Sequence, residues 1–141
     1  MTYRSCREDG VLRILVADSR PDVRSALKLL LEQDAEMVVS SEAKRSGDVL
    51  EQVKATCPDV IILDYDLPGL QAGDLLRAVR SVCPAVWVVA LCARSEVRQA
   101  ALAAGADAFV SKADPPQSLL STIRQGTRWR ASGGSGNATE P

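Results

Sequence analysis

The chain has 141 residues, of which 46% are apolar, enough to bury the core of one domain of common size. With 17 Lys and Arg against 18 Asp and Glu its formal charge is −1, so composition supplies no electrostatic footprint for nucleic acid or an anionic membrane. The lack of histidine excludes Ser-His and Cys-His nucleophilic pairs and the usual zinc sites, which leaves chemistry to carboxylates, Lys, Ser, Thr and Cys.

Residues 1–10 are polar, lack the hydrophobic centre of a signal peptide and read as a flexible N-terminal segment. A run of β-branched and apolar residues follows at 11–17, and similar runs recur at 37–40, 60–63, 86–91 and 108–110, each of a length that suits a buried strand. Between them apolar residues fall at helical spacing: Val23, Ala26, Leu27, Leu30 and Leu31; Val49, Leu50 and Val53; Leu75, Leu76 and Val79; Val97, Ala100, Ala101 and Ala104; Leu119, Leu120 and Ile123. Pro21, Pro68 and the Pro115-Pro116 pair stand near expected helix starts, and Asp114 reads as an N-cap. Residues 131–141 are too poor in apolar groups to repay their ordering entropy and read as a disordered tail or linker stub.

Strict alternation of strand and helix implies a parallel sheet covered on both faces, so chemistry is expected beyond the carboxyl ends of the strands. At those ends stand Asp18, Asp64 and Asp66, Cys92 and Lys112. With strands 1 and 3 as neighbours, Asp18 and Asp64 would lie within roughly 5 Å and repel by about 3 kcal/mol at an effective dielectric near 20. Lys112 supplies one compensating charge, and a hard divalent cation such as Mg²⁺ suits the remainder. Cys6, Cys57, Cys83 and Cys92 form no CxxC pair, and a domain of this size does not need disulfide staples. Reduced thiols in a cytoplasmic protein, neither secreted nor membrane-spanning, are the expectation.

Three stretches carry a more specific signal. ILVADSRPDVR at 14–24, PDVIILDYDLPG at 58–69 and AGADAFVSK at 104–112 resemble response-regulator receiver domains, and the likeness extends over about residues 11–125. The resemblance implies a flavodoxin-like, doubly wound (βα)5 α/β fold of strand order 2-1-3-4-5, with residues 11–130 as the receiver. It implies a non-enzymatic two-component module in which Asp64 accepts a phosphoryl group and Lys112 stabilises its charge. Cys92 takes the position usually held by Thr or Ser, and Phe109 takes the aromatic switch position. Asp18, Asp64 and the backbone carbonyl of Asp66 would hold Mg²⁺, weakened because Ser19 replaces the usual second acid; the Asp66 side chain is a candidate substitute. Implied partners are a sensor histidine kinase or phosphotransfer protein and a downstream protein, or a second copy, on the face of helix 4, strand 5 and helix 5. That face is expected to include some of Arg94, Arg98, Arg124, Arg128 and Trp129. No direct contact with nucleic acid or membrane is expected.

Two other readings stand beside this one. A degenerate receiver would bind a partner irrespective of phosphorylation, as Ser19, Cys92 and Ala113 in place of the customary proline would favour. A flavodoxin-like cofactor binder is opposed by the loop after strand 1, where Asp18 stands in the place of a phosphate cradle.

Overall fold

Each apolar run of the sequence becomes a strand, and the central ones are covered on both faces. The computed structural model describes residues 10–131, with side chains through Thr127. In chain order it contains β1 (Leu12–Ala17), α1 (Pro21–Leu31), β2 (Met37–Ala43), α2 (Ser46–Thr56), β3 (Val60–Asp64), α3 (Ala72–Val82) and β4 (Trp87–Cys92), then a 3-10 turn (Ser95–Val97), α4 (Arg98–Ala104), β5 (Ala108–Ser111) and α5 (Pro116–Ala131). All pairings are parallel and the order is β2-β1-β3-β4-β5. This is the flavodoxin-like architecture expected from the sequence.

Alternation along the strands sorts the core into two layers. Leu15, Ala17, Ile61, Leu63, Val88, Ala90, Cys92 and Phe109 pack with Val49 and Val53 of α2, Leu75, Leu76 and Val79 of α3 and Ala101 of α4. Ile14, Val16, Val60, Ile62, Val89, Leu91 and Val110 pack on the other side with Leu31 of α1 and Leu119, Leu120 and Ile123 of α5. The central strands β3 and β4 are buried at every position, which is why they read as unbroken apolar runs.

Edge strand β2 runs three residues past the expected end, to Ala43. Its register with β1 shifts between Ile14 and Leu15, leaving Ser40 out of the pairing and exposed. Pro21 opens α1 as expected, whereas Pro68 lies in the β3–α3 loop ahead of Ala72. The carboxylate of Asp114 accepts the Ser111 N–H at 3.1 Å, so it closes the β5–α5 turn instead of capping a helix that begins only at Pro116. Residues 1–9 and 132–141, on which the flexible-segment and tail readings fall, lie outside the described residues, as do the side chains of Arg128 and Trp129.

The expectation of reduced thiols is overturned. Cys57 and Cys83, the C-caps of α2 and α3, are joined in a disulfide with a Cα–Cα separation of 5.9 Å. Because β3 and β4 pair side by side, the helix ends that feed them meet at the amino-terminal edge of the sheet, which no spacing in the sequence reveals. A bond across a separation of 26 residues removes about 3.5 kcal/mol of unfolded-chain entropy. The argument for a reducing compartment from unpaired cysteines therefore loses its basis. Among the described residues no helix is long and apolar enough to cross a membrane.

Candidate functional site

Strand register assembles the site. Ala17 of β1 lies opposite Leu63 of β3, so the next residues, Asp18 and Asp64, emerge together at the carboxyl edge. Cys92 of β4 lies opposite Ser111 of β5, and the Lys112 N–H donates to the Cys92 carbonyl at 2.9 Å, which carries Lys112 to the same edge. The Lys112 ammonium donates to Asp18 Oδ2 at 3.0 Å and lies 3.6 Å from Asp64 Oδ1. Asp18, Asp64 and Lys112 thus converge as the sequence predicts.

The two carboxylates stand in different settings. Asp18 is 1% exposed, and its Oδ1 accepts the Arg20 N–H at 2.9 Å, which fixes the turn into α1. Arg24 of α1 donates to the Asp18 carbonyl at 2.8 Å and pairs with Glu42 of β2 at 3.0 Å, bolting that turn to the edge strand. Burial pushes the Asp64 carboxyl above its ordinary value. The Asp66 N–H, 3.1 Å from Asp64 Oδ1, and the Lys112 charge pull it back, while Asp18 and Asp66 add to the rise. Two buried acids against one ammonium leave an excess negative charge at a partly open edge.

Asp66 does not replace the missing second acid. Its carboxylate accepts from Arg94 Nη2 at 2.6 Å and from Cys92 Sγ at 3.5 Å, facing the β4–α4 loop. Ser19 is exposed. Among the described residues no three Cys, Asp or Glu side chains are grouped to hold a metal. The residues present nevertheless suit a hard cation that retains several waters. Asp18 and Asp64 offer two carboxylates beside the main chain of Asp66, and the excess charge favours such an ion.

Cys92 is 1% exposed and packs as a small apolar group in the α2/α3/α4 layer, its Sγ also accepting the Arg94 N–H at 3.5 Å. Phe109 is buried in the same layer, with the Arg98 guanidinium 5.8 Å above its ring. Arg124, one of the candidates for the α4–β5–α5 face, pairs instead with Asp34 of the α1–β2 turn at 2.9 Å.

Other contributors escape sequence reasoning. Ser46, at the start of α2, accepts the Leu70 N–H at 2.8 Å and donates its own N–H to the Pro68 carbonyl at 3.0 Å, tying down the loop that follows Asp64. Gly69 has φ +114°, and a Cβ there would come within 2.0 Å of Ser46 Oγ, so this position needs glycine. The anchor of this loop lies more than twenty residues away in the chain.

An acid pair and a lysine at the carboxyl edge of a 2-1-3-4-5 parallel sheet form the arrangement that the receiver resemblance implies. Residues 14–124 match the response regulator receiver domain family, and the chain belongs to that family. It is 34% identical over 115 residues to the transcriptional activator protein ExaE of Pseudomonas putida, covering 79% of this chain and 53% of that protein. It is 29% identical over 123 residues to the uncharacterized transcriptional regulatory protein YxjL of Bacillus subtilis, covering 85% and 56%. The chain therefore spans just over half the length of these relatives. Among solved structures, the receiver domain of the putative response regulator NarL from Mycobacterium tuberculosis superposes with a TM-score of 0.76 at 28% identity, covering 84% of this chain and 97% of that one. A LuxR-family two-component response regulator from Aurantimonas sp. SI85-9A1 gives a TM-score of 0.78 at 27% identity, covering 84% and 86%. Receiver domains are generally non-enzymatic signalling modules that use Mg²⁺ at their acidic pocket.

Proposed function

We propose that Asp64 accepts a phosphoryl group from a phosphohistidine on a partner histidine kinase or phosphotransfer protein. The convergence of Asp18, Asp64 and Lys112 at one strand edge carries this reading. An Asp64 carboxylate oxygen attacks phosphorus in line with the leaving imidazole nitrogen; the P–O bond forms as P–N breaks, and the histidine nitrogen keeps the bonding electron pair. Lys112 stabilises charge on the transferring oxygens and offsets the repulsion between Asp64 and Asp18. Asp18, Asp64 and the Asp66 carbonyl would hold Mg²⁺, which supplies Lewis-acid neutralisation of the phosphoryl oxygens when bound. Its affinity is lowered because Ser19 is neutral and the Asp66 carboxylate faces Arg94.

Cys92 stands where a hydroxyl normally accompanies the phosphoryl group, and a thiol is a weak donor. The link between Asp64 and Phe109 is accordingly looser than in a receiver with Thr or Ser at that position. Relatives named as transcriptional regulators extend beyond this region, so the domain serves as the input half of such a protein, its partner or second copy docking on α4, β5 and α5. It acts in the cytoplasm, where phosphohistidine donors are made from ATP, without itself touching nucleic acid or membrane.

The test is incubation with acetyl phosphate and Mg²⁺ followed by intact-mass measurement. One phosphoryl adduct is expected, absent from Asp64→Ala. If an ordinary receiver is labelled in parallel and this chain is not, the phosphoacceptor reading fails. The occupied Asp66 carboxylate and the thiol at position 92 would then favour a phosphorylation-independent binding module.

A further inference from the structure

At the end of the sheet opposite Asp64, α2 and α3 finish alike: each ends on a cysteine followed at once by a proline, Cys57-Pro58 and Cys83-Pro84. Each cysteine N–H caps its helix at 2.8 Å, Cys57 to the Val53 carbonyl and Cys83 to the Val79 carbonyl. The strands that follow are neighbours, with Val60 opposite Trp87, so the caps are brought into bonding range at a Cα–Cα distance of 5.9 Å.

Two features set this pair apart from an inert staple. Cys57 adopts φ +43° and ψ +70°, and it is the one non-glycine among the described residues with positive φ. That left-handed cap position favours Gly or Asn and costs any other residue with a Cβ about 1 kcal/mol, so a cysteine there is explained by its sulfur and not by the backbone. The two residues also differ in exposure: Cys83 is 3% exposed, whereas Cys57 is only partly buried.

We propose that Cys57 and Cys83 form a reversible thiol–disulfide exchange site, in which Cys57 reacts with a low-molecular-weight disulfide of the glutathione class and Cys83 resolves the adduct. In the closing direction the Cys57 thiolate attacks the small disulfide, forming a mixed disulfide and expelling one small thiolate. The Cys83 thiolate then attacks Cys57 Sγ and expels the second, so two protein thiols are oxidised while one small disulfide is reduced to two thiols. In the opening direction a small thiolate attacks Cys57 Sγ and Cys83 leaves as thiolate; a second small thiolate then displaces Cys57 from the mixed disulfide, so two small thiols are oxidised to one small disulfide. The bond closes the segment from 57 to 83, which includes Asp64 and all of α3. It is a covalent input at the opposite edge from the acid pocket, and it does not depend on phosphoryl transfer at Asp64.

The native full chain is equilibrated in mixtures of reduced and oxidised glutathione, quenched by alkylation and mapped by peptide mass. Alkylation of Cys57 and Cys83 should rise together as the reduced share increases and reverse when it is lowered. A pair that stays wholly bonded, or wholly alkylated, across the series overturns the proposal. Variants separate the two roles. Cys83→Ser should retain glutathione on Cys57, and Cys57→Ser, checked for native circular dichroism, should acquire it on Cys83 roughly tenfold more slowly because access limits exchange. Equal rates in the two folded variants would overturn the assignment of Cys57 as the reacting sulfur. Mapping by peptide distinguishes these adducts from any on Cys6 or Cys92.

Discussion

Replacing Lys112 by Met keeps the length of the stem and deletes the charge that two carboxylates share. At an effective dielectric near 20, an ammonium 3.0 Å from Asp18 and 3.6 Å from Asp64 gains about 5.5 and about 4.6 kcal/mol of Coulomb energy before desolvation. Desolvation cancels much of that sum, and removing one partner of a buried pair costs about 3–5 kcal/mol in practice. The Lys112 side chain is 26% exposed and Asp18 only 1%, so water screens the pair from the lysine side but cannot solvate the stranded acid, and the cost is at least about 3 kcal/mol. Urea unfolding at neutral pH in EDTA, followed by far-UV circular dichroism, should show the midpoint drop by about 1–2 M. In an Asp18→Asn background the same substitution should cost markedly less, because no buried charge is then stranded. A loss below about 0.5 kcal/mol, or an equal loss in both backgrounds, would refute the shared-cation account.

With EDTA present, Asp64→Asn should raise the unfolding midpoint at neutral pH, since burial holds the Asp64 carboxyl above its ordinary value and its ionisation opposes folding. That penalty is complete above the raised value and absent below the ordinary carboxylate range, so stability curves of variant and wild type should converge as pH falls. Asp34 shows the opposite sign: the Glu36 N–H at 2.8 Å leads, and with the paired Arg124 holds the carboxyl below its ordinary value. Asp34→Asn should cost about 0.5–1 kcal/mol, given that Arg124 is half exposed, and its deficit should shrink as pH falls through the lowered value. Gly126→Ala should lower the melting temperature despite a helix-propensity gain of about 1 kcal/mol, because its Cβ would meet the Trp87 ring at 2.2 Å. A rise in melting temperature would show that α5 can move away from β4 without cost.

The strands and the acid–lysine triad were legible because Asp18 and Asp64 directly follow apolar runs and Lys112 comes two residues after one, so position in the chain gives position at the edge. The limits of β2 were not, since Ser41 and Glu42 belong to an edge strand whose half-exposed residues dilute the apolar signal. The orientation of the Asp66 carboxylate depends on Arg94, twenty-eight residues on, and the Cys57–Cys83 bond depends on two helix ends that meet only once β3 and β4 are paired. Both are products of tertiary register, which no local spacing encodes.

The double tie between Ser46 and the segment 68–70 has a mechanical corollary. A hinge usually requires slack, but the stretch after Asp64 is pinned at its far side to the first turn of α2, where Gly69 packs too closely on Ser46 to admit a Cβ. Any push exerted at Asp64 must either be absorbed within the few residues up to Leu67 or be delivered as tension on α2. A helix on the side remote from β5 is thus the element to which the loop after Asp64 is tied.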